Sequence, residues 1–197
     1  MGHPTPPAWY VISLRPQGGH DALRRAARRH GAGLLALSPW RIRHCDDDAT
    51  RAALRGALDC DIVVVTSPAA VAAARALQPL AARAGQRWLA VGSGTAAALR
   101  RCGVDRVEFP ARMDSEGLLA LPGLADLRGR RLGFITAPDG RNLLVPTLEA
   151  RGATVHRAEV YRRQSLPLPA RALEGLASLQ APACLLLSSG GALQEVL

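Results

Sequence analysis

Apolar and polar positions along the chain repeat one pattern. Four times an apolar run enters a short Ser/Thr/Gly/Pro turn and passes straight into an alanine- and leucine-rich helical stretch. The copies are DIVVVTSPAAVAAARAL (Asp61–Leu77), RWLAVGSGTAAALRRCG (Arg87–Gly103), RLGFITAPDGRNLL (Arg131–Leu144) and CLLLSSGGALQEVL (Cys184–Leu197). An N-terminal version, Trp9–Gly31, has a longer turn. Short apolar strands alternating with helices predict an α/β fold with parallel sheets flanked by helices. Each turn presents unsatisfied backbone N–H groups and the positive end of a helix dipole at a strand's carboxyl end. A set of such turns is suited to holding a polyanion.

The remaining pattern refines this layout. A first strand is expected at Tyr10–Leu14, a helix from about His20 to His30, and a second strand at Leu34–Leu37. Residues 38–44 then alternate as an extended connector. The acidic run Asp46-Asp47-Asp48 suits the start of a helix over Ala49–Leu58, with metal ligation as a second reading. A short strand is expected at Arg106–Phe109, and Ser115-Glu116 reads as an N-cap and first-turn acid. Pro146 must either kink the helix after Gly140 or begin it. Thr154–Arg162 alternates like the first connector, and the prolines at 167 and 169 mark a linker. Two connectors imply two lobes: a discontinuous first lobe over 1–39 and 167–197, and a second over 40–166 that includes the connectors. The last helical pattern ends at Leu197, so the first lobe is expected to be incomplete at its C-terminus.

Composition narrows the partners. The net charge of +9 is carried by arginine, with no lysine. This fits either a compositional bias or attraction of an anionic ligand. The arginines are spread over helix faces without interleaved aromatics, which argues against nucleic acid. Cys45, Cys60, Cys102 and Cys184 have no metal-ligand spacing, and the five histidines (His3, His20, His30, His44, His156) make no ligand pair and read as surface or helix-end residues. With no secretory or membrane-span pattern, a cytoplasmic protein is expected, and nothing demands more than a monomer.

Candidate site residues sit in the turns. Gly92, Ser93, Gly94 and Thr95 follow one strand, Ser67 another, and Ser188 and Ser189 the last. Each is open to two readings, helix capping or carboxylate capture, and repetition at strand ends favours a shared edge. Gly140 and Arg141 form a further turn in which the arginine either pairs with a carboxylate or lies in solvent. Arg15, after the first strand, is a weaker candidate for the same work.

The phrases VTSPAAV (Val65–Val71), VGSGTAAAL (Val91–Leu99), GRNLL (Gly140–Leu144), EARGATVHRAEVYRR (Glu149–Arg163) and LLSSGGAL (Leu186–Leu193), in this order and spacing, resemble the uroporphyrinogen-III synthase family. The resemblance implies two α/β lobes joined by a two-stranded connector, with the site in the cleft between them. It implies cyclisation of hydroxymethylbilane, a linear tetrapyrrole with eight carboxylates, to uroporphyrinogen III with loss of water and inversion of the last ring. No metal or organic cofactor is implied. The family carries a further strand–turn–helix unit after the last one here, which implies little or no synthase activity for the 197-residue chain alone. Tyr161 matches the family tyrosine and would hydrogen-bond the departing hydroxyl or steady the terminal ring; read without the family it is a strand tyrosine at a lobe edge. Two rivals remain. Gly92–Ala97 fits G-x-G-x-x-A with Glu108 following, as in a dinucleotide-binding oxidoreductase. A non-catalytic anion-binding or interaction module is the other.

Overall fold

The computed structural model describes residues 6–138 and 143–187. The chain divides into two compact units, Met1–Ile42 with Arg163–Leu197, and Arg43–Arg162.

The discontinuous unit is built on a three-stranded parallel sheet of order β10-β1-β2, with β1 at Trp9–Ser13, β2 at Ala32–Ala36 and β10 at Ala183–Leu186. Alternation along the strands gives the sheet two apolar faces. Val11, Ala27 and Ala32 cluster with Leu23 and Leu34 under helix α1 (Asp21–Arg29). Leu14, Leu37 and Trp40 cluster with Ile12, Leu168 and Ala172 on the side of helix α7 (Ala170–Ala177). Helix α1 ends where Gly31 takes φ +69°, a conformation that costs a glycine little. It carries Asp21 in its first turn and Arg28 and Arg29 in its last, matching the helix dipole.

The contiguous unit holds a five-stranded, all-parallel sheet of order β6-β5-β4-β7-β8. Its strands are β4 (Ile62–Val65), β5 (Arg87–Ala90), β6 (Val107–Glu108), β7 (Arg131–Thr136) and β8 (Thr154–Glu159). Every residue of the central strand β4 is buried, because helices cover both faces. Ile62, Val64, Leu89, Leu132 and Phe134 pack with Leu118, Leu119, Leu144 and Leu148 from α5 (Ser115–Leu119) and α6 (Leu144–Ala150). The opposite face carries α2 (Asp48–Leu58), α3 (Pro68–Leu77) and α4 (Ser93–Arg101). There α2 crosses β7 so closely that a Cβ on Gly133 would collide with the Ala57 carbonyl oxygen.

Several local expectations need correction. Asp47 caps α2, accepting from the Thr50 N–H at 2.8 Å, so the acidic run starts a helix as expected. Asp114, rather than Ser115, caps α5 by accepting from Gly117 N–H at 2.8 Å; aspartate and serine are comparable caps, and sequence alone does not rank neighbours. Helix α6 begins at Leu144, which puts Pro146 in its first turn, where its missing N–H breaks no bond. The segment Thr154–Arg162 is two strands rather than one connector. β8 adds to the sheet beside β7, and β9 (Tyr161–Ser165) pairs with β3 (Trp40–His44) in a separate two-stranded sheet. Val160 makes the handover: its N–H donates to Thr136 O at 3.1 Å and its carbonyl accepts from Cys45 N–H at 2.9 Å. At the other end of the ribbon Leu166 N–H donates to Pro39 O at 2.7 Å, so the strands run antiparallel. The Arg163 guanidinium stacks 5.0 Å from the Trp40 ring centroid, and Arg41 donates to Gln164 Oε1 at 2.9 Å.

Candidate functional site

Strand order locates the site of the contiguous unit. From β4 the chain winds outward through β5 and β6, then returns to β7 on the other flank of β4. The crevice beyond the carboxyl ends of β4 and β7 is therefore the topological switch point, the usual ligand position in open parallel sheets. At that edge Thr66 donates to Thr136 Oγ1 at 3.1 Å, tying the ends of the two strands together.

Ser67 follows directly. It sits in extended backbone as the N-cap of α3, and Pro68 takes the first helical position, where a missing N–H costs nothing. Its Oγ accepts from Ala70 N–H at 3.1 Å. The same oxygen lies 3.0 Å from the hydroxyl of Tyr161. Tyr161, the first residue of β9, is 5% exposed, with its ring in the core and its hydroxyl reaching the α3 N-terminus. Two candidates separated by 94 residues thus meet in one hydrogen bond, which no local sequence signal announces. Ser67 caps the helix and also holds the phenol. Ser67→Ala is expected to cost about 1 kcal/mol of stability through the cap and to leave the buried phenol without its partner; urea unfolding of the variant measures the first effect.

The neighbouring turn lies alongside. Gly92 caps α4 in extended backbone, and a Cβ on Gly94 would stand 3.8 Å from Pro68 Cγ, so the α3 and α4 N-termini adjoin. Ser93 is covered by Met113: its hydroxyl reaches the Met113 sulfur at 3.2 Å and its N–H at 3.4 Å. Thr95 is 4% exposed, within the first turn of α4. Arg15 belongs to the discontinuous unit, where it follows β1 with its side chain exposed. Gly140, Arg141, Ser188 and Ser189 lie outside the described residues.

The geometry disfavours dinucleotide binding. The glycine-containing turn follows β5, one strand away from the switch point. Glu108, which would have to receive a ribose, is engaged by Arg87 through bonds of 3.0 and 2.8 Å.

Two features were missed at the level of sequence. The Thr66–Thr136 pair had a readable signal, a threonine at the carboxyl end of each of two adjacent strands. His20, read as a surface or helix-end residue, is at a helix end but only 5% exposed, held between Ser13 and Ser38.

Comparison with known proteins bears on the family and the fold. Residues 21–197 match the family model described as uroporphyrinogen-III synthase HemD. The uroporphyrinogen-III synthase of Salmonella typhimurium is 40% identical over 111 residues, covering 52% of this chain and 44% of that one. The Escherichia coli enzyme is 39% identical over 77 residues, covering 39% and 31%. The matched regions thus span less than half of either relative's length. Among solved structures, a mutant uroporphyrinogen III synthase from Thermus thermophilus superposes with TM-score 0.64 at 18% identity, covering 96% of this chain and 76% of that one. The Helicobacter pylori enzyme gives 0.59 at 12% identity, covering 94% and 76%. At such identities the structures speak for the fold: two α/β units, the first discontinuous, linked by a two-stranded ribbon. With that fold and a family-model match over residues 21–197, the chain belongs to the uroporphyrinogen-III synthase family.

Proposed function

We propose that this protein cyclises hydroxymethylbilane to uroporphyrinogen III in haem biosynthesis, and that its site includes the carboxyl edge of the β4–β7 sheet. The observation that carries the reading is the Ser67–Tyr161 hydrogen bond at the switch point, beside two adjoining helix N-termini. Ser67 Oγ already accepts from Ala70 N–H, so its own hydrogen is free to donate to the phenol oxygen. With the bond in that direction the Tyr161 O–H keeps its own proton to donate, and that proton is assigned to the substrate's terminal hydroxyl. Departure of that hydroxyl as water leaves an azafulvene cation. Attack by the substituted pyrrole carbon gives a spiro intermediate, which fragments and recloses with the last ring inverted. Over the whole reaction one hydroxyl and one pyrrole C–H hydrogen are lost, which is one water. The protein's task is to hold the chain of rings for this closure and to ease one C–O cleavage.

The eight carboxylates of the substrate fit backbone N–H groups and hydroxyls at helix N-termini better than a nonpolar pocket. Ser67, Gly92, Ser93, Gly94 and Thr95 supply that edge in this unit, and Arg15 is the candidate cation of the other. Gly140, Arg141, Ser188 and Ser189 retain the roles expected from sequence. Met113, on a flexible side chain, must move from Ser93 before that turn can receive an anion. A monomer in the cytoplasm, acting on a small molecule rather than on nucleic acid or membrane, completes the proposal. No helix of the described residues is long and apolar enough to cross a membrane.

The test is incubation with freshly prepared hydroxymethylbilane and separation of isomers I and III, using the 197-residue chain and any longer natural chain containing it. Isomer III above background from either is the expected result. Isomer I alone from both, the product of spontaneous closure, overturns the proposal.

A further inference from the structure

The β1–α1 turn contains a buried histidine that the proposed chemistry leaves unused. Ser13, the last residue of β1, is fully buried, and the adjoining His20 is 5% exposed. His20 occupies the N-cap position of α1 but its side chain caps nothing. Instead its ring bridges two hydroxyls, with Nδ1 3.2 Å from Ser13 Oγ and Nε2 2.8 Å from Ser38 Oγ, beyond the end of β2. Ser13 Oγ also accepts from the backbone N–H of Arg15 at 3.4 Å. One imidazole therefore ties together the carboxyl ends of two adjacent strands, the start of a helix and the backbone of Arg15. The rest of the turn is stitched by main chain, with Gln17 N–H donating to Trp40 O and Gly19 N–H to Pro16 O, both at 2.9 Å.

The network suits a neutral ring. Neutral imidazole has one donor and one acceptor, and two serine hydroxyls complement it in either tautomer. An imidazolium would donate from both nitrogens and take away the ring acceptor available to the buried Ser13 hydroxyl. Burial, first, and then the charges of Arg24 on α1 and Arg15 in the turn hold the His20 pKa below its ordinary value, with Asp21 on α1 and hydrogen bonding to the Arg15 backbone opposing them. Ser38, from the segment after β2, brings no charge. Arg15 itself projects into solvent, and its guanidinium has no ion pair among the described residues. An arginine at the carboxyl end of a strand with a pinned backbone is placed to meet an anion rather than an internal partner.

We infer that His20 is a positioning residue: through Ser13 Oγ it fixes the backbone of Arg15, so that the exposed guanidinium is presented in one place to a carboxylate of the ligand. The ligand part of this inference rests on the function proposed above; the backbone part does not. Main chain already joins the ends of β1 and β2, with Leu37 N–H donating to Ser13 O at 2.9 Å; the imidazole adds the side-chain link from Ser13 Oγ to Ser38 Oγ.

The experiment compares the full chain with His20→Phe, which keeps the ring volume without hydrogen bonds, His20→Gln, which keeps a donor and an acceptor, Arg15→Ala, and the Arg15→Ala/His20→Phe double variant. Two readouts are taken: hydrogen exchange of the Arg15 amide, and the Kd for uroporphyrin III as an octacarboxylate probe. His20→Phe is expected to speed Arg15 exchange at least ~10-fold and to raise Kd as much as Arg15→Ala does, by about 10-fold or more, the worth of one charge-assisted hydrogen bond. The double variant should bind no worse than Arg15→Ala, and His20→Gln should recover most of both effects. A His20→Phe variant that lowers Tm but leaves Arg15 exchange unchanged overturns the inference, as do additive effects on Kd. If the parent chain binds no uroporphyrin III, the ligand part of the inference falls, and unchanged Arg15 exchange still separately decides against the backbone part. If His20→Phe does not fold, the pH dependence of the parent and His20→Gln replaces it. A lowered folded-state pKa means that the unfolded chain binds the proton first. Stability should be full above the ordinary value of 6.5, fall as pH drops below it, and level off below the folded-state pKa. His20→Gln should lack that component; the same slope in both proteins overturns the inference.

Discussion

Tyr161→Phe is expected to lower turnover of hydroxymethylbilane about tenfold while leaving the fold intact. The phenol oxygen contributes a neutral hydrogen bond, worth about 1–1.5 kcal/mol when made and aligned, and about 1.4 kcal/mol corresponds to a factor of ten in rate. The effect stops well short of abolition because the departing hydroxyl generates a stabilised pyrrolic cation and needs assistance rather than full proton transfer. Ring packing survives, since Tyr161 is 5% exposed and phenylalanine fills the same space. Ser67 Oγ keeps its bond from Ala70 N–H, so the α3 cap survives too. Steady-state kinetics with product isomer analysis distinguishes the outcomes. Unchanged kcat would remove Tyr161 from the reaction, and a raised KM with unchanged kcat would make it a binding group only.

Gly133→Ala is expected to be the most damaging single methyl addition on the sheet. The new Cβ would point at the Ala57 carbonyl at the end of α2, and a backbone atom cannot rotate away as a side chain does. Either α2 lifts from β7 or the β4–β7–β8 register distorts. Val63, paired opposite Gly133, is fully buried, so there is no slack on that face. Overpacking of this kind costs about 3 kcal/mol or more, which for a protein of this size lowers Tm by roughly 6–12 °C. Differential scanning calorimetry checks it; a shift under about 2 °C, less than 1 kcal/mol, would mean that α2 moves freely over β7.

The architecture was legible where burial is two-sided and continuous. The run Ile62–Val65 has no polar residue, reads only as a central strand, and is one. The strand–turn–helix rhythm marks the parallel sheets and the cap at Ser67, whereas α4 is capped by Gly92 without a side-chain bond rather than by Ser93 or Thr95. What failed was decided at a distance. Nothing between Thr154 and Ser165 breaks the chain, so two strands looked like one; only the bonds from Val160 to Thr136 and Cys45 separate them. His20 was undervalued for the same reason, since its meaning comes from Ser13 and Ser38, seven and eighteen positions away. The candidate site shows the same division. The Ser67 hydroxyl was visible as a cap, whereas the contact that makes Ser67 and Tyr161 a pair belongs to the fold.

The split of the chain at Ile42/Arg43 and Arg162/Arg163 also orders events during synthesis. A ribosome working from the N-terminus releases every strand of the five-stranded sheet while β1 still waits for β10. Tyr10 and Ala183 are paired neighbours in the finished sheet, yet the whole contiguous unit lies between them in the chain. Closing so long a flexible loop has an entropic cost that grows with its length. Once β3 and β9 are zipped together at the base of a folded unit, only the short segments outside the ribbon have to be gathered. The ribbon then serves as a splice, letting two distant pieces of chain behave in folding as though they were nearly continuous.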